Sequence, residues 1–354
     1  MHPLRRILSV LFITLLTIQV FATDDDKLRA FRALCAEKFD AAQKANVMTV
    51  IGEDGWLFFD RELHHLSVAR FWGEQAAKVS AAKKPENADP LPVIVDFAHQ
   101  LKRANVELIL LPVPAKAAIY PDRLAGTNAV DPNFRVDSAD KQFYELLKAQ
   151  NVNVLDLTDA FKAHRDASDG ALFCKQDTHW SGQGCLVAAR VLAEEVKMRP
   201  WAKDLATTKF ESESRSIEID GDLRKALNDS KLPKESLRLR FVGTREGNAL
   251  KPIATDANSP ILLLGDSHNL IFSAGGEDMQ AQGAGFPDQL AMDLGIAVDV
   301  IAVRGSGATP ARVNLLRAAR SRPNYLAGKK LIIWCFGARE FTESDGWQKV
   351  PIVK

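Results

Sequence analysis

The stretch Ile261-Leu262-Leu263-Leu264-Gly265-Asp266-Ser267-His268-Asn269 passes from apolar to polar at one glycine. It reads as a buried strand that stops at Gly265, with a serine where the chain must turn sharply. A serine in that position can be lifted clear of the sheet edge, with nearby backbone N–H groups free to face an oxyanion. Nucleophile elbows rest on the same physics. Gly, Asp and Ser also suit an ordinary polar turn, so these residues alone leave both readings open.

The surroundings of this strand set the fold. Helical spacing over 93–103 precedes an apolar strand at 106–111. Helix 142–149 precedes a strand at 152–157, and a strongly periodic helix covers 182–197. After the strand at 261–264 come helix 287–294, strand 297–303, helix 310–320 and strand 331–335. Short apolar strands alternating with amphipathic helices predict an α/β fold, a mainly parallel sheet covered on both faces. Ligands then bind beyond the carboxyl ends of the strands. Ser267, the Arg304-Gly305-Ser306-Gly307 turn and Arg339 all fall at such ends. Residues 27–46 predict a lead-in helix, and Ile51 to Phe59 a turn feeding a strand. Residues 203–257 are polar with weak periodicity and read as an irregular excursion.

Composition places limits. The 354 residues are 46% hydrophobic and 26% charged, with a net charge of +1, as in a globular protein. Nothing in that balance calls for nucleic acid. His2 to Arg6 is a short basic region, Ile7 to Ala22 is apolar, and Asp24-Asp25-Asp26 follows. This predicts a secretory signal over 1–22 cleaved after Ala22, with an uncleaved anchor as the alternative. Cleavage removes Arg5 and Arg6 and leaves a charge of −1. Export permits disulfides, and Cys174 and Cys185 flank one short stretch that a bridge would staple. Cys335 sits in an apolar run as a buried thiol.

A serine hydroxyl needs a base, and the base needs an orienting partner. His268 adjoins Ser267, and adjacent side chains diverge. Gln176-Asp177-Thr178-His179-Trp180 offers a better pair: Asp and His two apart in a tight loop let the carboxylate hold one imidazole nitrogen and aim the other outward. The helix starting near Ser181 would fix that loop from behind. Asp-X-His also suits a helix-capping turn with a surface histidine.

Asp177-Thr178-His179-Trp180 followed by Ser181-Gly182-Gln183-Gly184, a helix and a later Gly-X-Ser at a strand end resembles the alginate O-acetyltransferase family, the AlgJ- and AlgX-like proteins of SGNH-hydrolase fold. Gly52-Glu53-Asp54-Gly55-Trp56-Leu57-Phe58 is similar to the family's early Gly-X-Asp-Gly-Trp-Leu-Phe element. Leu111-Pro112-Val113-Pro114-Ala115-Lys116 resembles its Pro-X-Pro-X-Lys strand end. Ile332 to Glu340 resembles its closing strand with a Trp and a downstream Arg. The resemblance spans roughly 45–345, giving a three-layer α/β/α SGNH-hydrolase-like domain over 47–347 after a lead-in at 23–46. Gly-Asp-Ser-His-Asn is nearer the ordinary esterase block than a Thr-bearing version, and the chain resembles the single-domain AlgJ-like branch.

The resemblance implies a periplasmic acetyl-transfer enzyme, without cofactor, in which Ser267 is the nucleophile, His179 the base and Asp177 its orienter. The acceptor would be an exopolysaccharide, and a membrane-bound acyltransferase would hand over the acetyl group. The Ser267 N–H would serve the oxyanion, joined by the Gly305–Gly307 turn or Asn269. Arg339, Arg304 and Lys116 are candidates to hold a uronate carboxylate or the acetyl carbonyl. Trp180 would stack on a sugar or pack in the core, and His64-His65 reads as surface or helix-lining. A secreted carbohydrate or acyl esterase would use the same triad. A metallophosphoesterase would build on Asp-X-His with Asp266, His268 and Asn269, and a non-catalytic export scaffold would need none of them.

Overall fold

The structure is a computed structural model and describes residues 23–126, 130–229 and 231–353. The expected leader at 1–22 lies outside the described residues. No described helix is long and apolar enough to cross a membrane. In chain order the strands are β1 (Thr49–Ile51), β2 (Leu57–Phe59), β3 (Glu107–Val113), β4 (Asn153–Val154), β5 (Glu211–Ile219), β6 (Glu235–Glu246), β7 (Ala249–Pro252), β8 (Ile261–Gly265), β9 (Asp299–Ala302) and β10 (Leu331–Gly337).

A five-stranded sheet of order β4-β3-β10-β8-β9 forms the centre. All its neighbours pair in parallel. Its strands read as unbroken apolar runs because both faces are covered. Ile109, Leu111, Ile261, Leu263, Ile333 and Cys335 enter one apolar cluster with the helices Asp24–Ala45, Gly182–Lys197 and Phe286–Leu294. The alternate residues Leu108, Leu110, Leu262, Leu264, Ile332 and Trp334 enter the other, with the helices Leu91–Arg103, Ser138–Ala149 and Thr309–Ser321. The result is the expected three-layer α/β/α arrangement. β8 lies between β10 and β9, so the turn after Gly265 opens near the middle of the sheet's carboxyl edge.

Two expectations change. The strand expected at 152–157 pairs only over Asn153–Val154, at the sheet's edge. The excursion at 203–257 is not irregular: β5, β6 and β7 form an antiparallel sheet, with the helix Asp222–Leu227 between β5 and β6. β5 is exposed along most of its length, so its sequence, Glu-Ser-Glu-Ser-Arg-Ser-Ile-Glu-Ile, carries little of the apolar alternation that betrays a half-buried strand.

Candidate active site

Gly265 is required by contact. A Cβ there would sit 1.6 Å from the Cys335 carbonyl oxygen on β10. The chain then leaves the sheet in a short 3-10 turn, Ser267–Asn269, capped by Asp266, whose Oδ1 accepts the His268 N–H at 2.9 Å. The Asp266 Oδ2 accepts the Gly337 N–H at 2.8 Å, tying the turn to the end of β10. Ser267 emerges from this turn, 7% exposed.

The second part is the loop before helix Gly182–Lys197. Ser181 caps that helix, its Oγ accepting from the N–H groups of Gln183 and Gly184, as a good N-cap does. The Cys174 N–H donates to the His179 carbonyl at 3.2 Å and closes the loop at its base. The Asp177 Oδ1 accepts from the His179 N–H at 3.0 Å and lies 2.6 Å from the ring Nδ1. The excursion clamps the loop from outside. The Asp222 N–H donates to the Asp177 Oδ2 at 3.1 Å, and the Asp222 carboxylate accepts from the Thr178 N–H at 2.8 Å and its Oγ1 at 2.6 Å. The Glu235 carboxylate accepts from the N–H groups of Lys175 and Gln176 at 2.9 and 3.0 Å.

The two parts meet. His179 Nε2 lies 2.7 Å from the Ser267 Oγ, so Asp177, His179 and Ser267 form one hydrogen-bonded line. Burial opposes charge on His179, but the adjacent Asp177 outweighs it and raises the imidazole above its ordinary value. Burial likewise opposes charge on Asp177, yet His179 and the N–H donors hold it down at about 2. His268 makes a second pair of the same design, its Nδ1 3.0 Å from the Asp266 Oδ1. Burial depresses that imidazole despite Asp266.

Ser267 and His179 open onto a cleft of about 290 Å³, whose walls include Gly305, Arg339 and Glu340. Arg339 is 8% exposed; its Nη1 lies 3.5 Å from the Glu62 Oε1 as an ion pair and makes no hydrogen bond among the described residues. Gly305 reaches the cleft with a φ of +99°, which glycine adopts without strain.

Other sequence candidates lie elsewhere. Lys116 is fully buried, and its Nζ donates to the carbonyl oxygens of Leu57 at 2.8 Å and Asp177 at 2.6 Å. It braces the loop and does not face the cleft, because a backbone turn rich in carbonyls encloses its ammonium. Asn269 cannot serve an oxyanion, since its Nδ2 donates to the carbonyls of Asp266 and Cys335 at 3.2 and 2.9 Å. Trp180 is core, 0% exposed, its Nε1 donating to the His268 carbonyl at 3.1 Å. Arg304 is exposed and pairs with Asp278 at 2.8 Å. Cys174 and Cys185 are free, buried thiols and not a disulfide, as are Cys35 and Cys335; Cys174 directs its Sγ to the Trp180 carbonyl at 3.5 Å. His65 lines its helix, held by Thr342 and Asp140 at 3.1 and 3.0 Å, and His64 lies 2.6 Å from Glu343. The sequence reading missed Asp222 and Arg61, both on the cleft wall. Asp222 begins a short helix inside a polar stretch with no period, and Arg61 is one exposed arginine among many, so neither carried a signal.

Asp177, His179 and Asp222 also bring ligand-type atoms within 4.8 Å of one another. The carboxylate oxygens accept N–H and O–H donors, and the two His179 nitrogens face Asp177 and Ser267. That donor set fits a proton relay better than a cation. Asp266, His268 and Asn269 pair among themselves and with the backbone.

A profile of the family described as "SGNH hydrolase-like domain, acetyltransferase AlgX" matches residues 49–338. The chain is 29% identical over 148 residues to the probable alginate O-acetylase AlgJ of Pseudomonas aeruginosa, covering 42% of this chain and 33% of that protein. It is 27% identical over 228 residues to the probable alginate O-acetylase AlgJ of Pseudomonas putida, covering 62% and 54%. It thus spans from a third to about half the length of these curated relatives. Among solved structures, the O-acetyltransferase domain of Pseudomonas putida AlgJ superposes with a TM-score of 0.59 at 24% identity, covering 83% of this chain and 92% of that one. Pseudomonas aeruginosa AlgX superposes with a TM-score of 0.57 at 18% identity, covering 82% and 62%. Both share the fold. With the profile running from β1 to the end of β10, the chain belongs to the SGNH hydrolase-like, AlgX acetyltransferase family.

Proposed function

We propose that the protein is an O-acetyltransferase that carries an acetyl group on Ser267 and passes it to a hydroxyl of an alginate-like exopolysaccharide. The observation that carries this reading is the line from Asp177 through His179 to the Ser267 Oγ, with contacts of 2.6 and 2.7 Å. The relatives named as alginate O-acetylases supply the acetyl group and the acceptor class.

In the first half-reaction the Ser267 Oγ attacks the carbonyl carbon of an acetyl donor while His179 Nε2 takes its proton. Asp177 steadies the imidazolium. The tetrahedral intermediate collapses, the bond to the donor's leaving group breaks, and His179 returns the proton to that group. In the second half-reaction His179 takes the proton of a sugar hydroxyl, whose oxygen attacks the acetyl-serine. Collapse breaks the Ser267 ester, and the proton returns to Oγ. The backbone N–H groups of Ser267 and Gly305 serve the oxyanion, and one such donor contributes about 3–4 kcal/mol in the transition state. Arg339, buried at the cleft wall with its Nη1 in an ion pair with Glu62 but not hydrogen-bonded among the described residues, holds the acceptor's carboxylate or the acetyl carbonyl.

We place the protein in the periplasm, on the leader expected at 1–22, with a membrane-bound acyltransferase as acetyl donor. An esterase would use the same residues and admit water in place of the sugar. The test incubates the protein with an activated acetyl ester, with and without oligouronate, and follows acetyl on Ser267 and on sugar by mass spectrometry. Acetyl-Ser267 that Ser267→Ala abolishes, with acetylated sugar, is the expected result. Acetate with no acetylated sugar assigns the site to an esterase, and full turnover by Ser267→Ala overturns both.

A further inference from the structure

The strand order β10-β8-β9 places Ser267, which follows β8, between the segments that follow its two neighbours. Those segments touch. The Ser306 Oγ, four residues past β9, donates to the Oε2 of Glu340, three residues past β10, at 2.5 Å. The contact spans the strand whose end carries Ser267. It also sits midway along a loop whose ends are tied to the sheet. At the near end the Val303 N–H donates to the Gly265 carbonyl at 3.0 Å. At the far end the Gly307 carbonyl accepts from Trp334 Nε1 at 2.8 Å, and a Cβ on Gly307 would come within 2.9 Å of the Asp266 nitrogen. Between them Gly305 is exposed, and Arg304 pairs with Asp278 at the surface. Among the described residues, no hydrogen bond other than those of Ser306 and Arg304 is made by a side chain between Val303 and Gly307, so the Ser306–Glu340 contact is the one that ties the Gly305 segment to the end of β10.

We propose that Glu340 is a positioning residue for acetyl transfer: as a carboxylate it clasps Ser306 and keeps the Gly305 backbone at the oxyanion position beside Ser267. The proposal rests on the reading of Ser267 as the nucleophile. A hydrogen bond to an ionised carboxylate is roughly twice as strong as a neutral one, so the clasp weakens when Glu340 takes up a proton. Glu340 is 3% exposed. Burial, opposed by Arg339 on its own turn and reinforced by Asp266 at the end of β8, pushes its carboxyl up to about 7. His179, Asp222, Arg61 and Glu343 occupy the other walls of the cleft, and Glu62 pairs with Arg339. Two groups then lose their active form on acidification: the His179 imidazole, raised above its ordinary value, and the Glu340 carboxylate.

The test measures acetylation of Ser267 by an activated acetyl ester across pH 5–9 for wild type, Glu340→Gln, Glu340→Ala and Ser306→Ala. Ser306 is only half-buried, so Ser306→Ala reports on the clasp even where a Glu340 variant folds poorly. We expect kcat to fall about 10- to 100-fold in Ser306→Ala and Glu340→Ala, the range for a misplaced catalytic element, with KM for the ester within twofold of wild type. Glu340→Gln, whose amide oxygen still accepts from Ser306, recovers part of the loss. On the acid side the wild-type rate drops more steeply than one proton allows, and Glu340→Gln drops with a slope of one. Wild-type kcat in Ser306→Ala, or a one-proton acid limb in wild type, overturns the clasp while leaving acetyl-Ser267 intact. Absence of acetyl-Ser267 in wild type overturns the underlying reading instead.

Discussion

The imidazole of His179 stands edge-on to that of His268, centroids 5.0 Å apart at 60°. Each ring is held by the aspartate two residues before it, Asp177 and Asp266, whose Oδ1 also accepts that histidine's own N–H. Two Asp-X-His turns of the same design therefore face each other, and Ser267 is the middle residue of one of them. Its hydroxyl engages the histidine of the other turn. The reason is the divergence of adjacent side chains: Ser267 points away from the ring that follows it. On the proposed reading, the Asp177 turn supplies the base and the Asp266 turn fixes the nucleophile.

This division predicts unequal effects of the acidic residues around His179. Asp177→Asn removes the acceptor that orients Nδ1 and stabilises the imidazolium, and should lower kcat about 10⁴-fold, as loss of the orienting aspartate does in serine triads. Asp222→Ala removes the clamp on Thr178 and the acceptor of the Leu223 N–H but keeps the backbone N–H that donates to Asp177. It should cost roughly 10-fold. Initial rates with an activated acetyl ester check both, and equal losses would refute the assigned roles.

The same pair makes stability depend on pH in two windows. Asp177 falls from 3.8 to about 2 on folding, so its contribution, about 2 kcal/mol, is present above pH 3.8 and lost as pH falls towards 2. His179 is raised above 6.5, so its contribution is complete below 6.5 and lost as pH rises through the folded value. Urea midpoints from pH 2 to 9 should show both flanks, and His179→Gln should flatten them. Catalysis runs the other way on the second flank, because the base must be neutral.

Lys116 answers to structure and not to substrate. Lys116→Met strips the donor from the carbonyls of Leu57 and Asp177 and should destabilise the protein by about 1–3 kcal/mol. Burial already pulls this ammonium below its ordinary value despite Glu62. KM for an oligouronate acceptor should stay within twofold of wild type while the urea midpoint falls. A raised KM at unchanged stability would return Lys116 to the substrate.

The cysteines give a direct chemical test. Cys35, Cys174, Cys185 and Cys335 are all buried and free. Denatured protein that has never met reductant should titrate as four thiols, and dithiothreitol should leave the melting temperature unchanged. Two titratable thiols with a reductant-sensitive melt would restore the Cys174–Cys185 bridge.

The parallel sheet was legible because its strands are apolar on both faces and its helices carry a clear period. Gly265 and the strand before it marked a sharp turn at the sheet edge but left elbow and ordinary turn both open, while Asp177 and His179 carry their mutual geometry within three residues. Burial and partnership were not legible. Lys116, Arg304, Gly305, Trp180, Asn269 and Arg339 stood as equal candidates, and of these Arg339 and Gly305 line the cleft beside Ser267. A side chain's surroundings come from segments far away in the chain: Lys116 is enclosed by Leu57 and Asp177, and Arg339 meets Glu62. The antiparallel excursion that brings Asp222 to the loop, and the contact of Ser306 with Glu340, follow from strand order across the sheet. Local chemistry is written in neighbours along the chain. Which donors meet which acceptors is settled by packing between residues scores of positions apart.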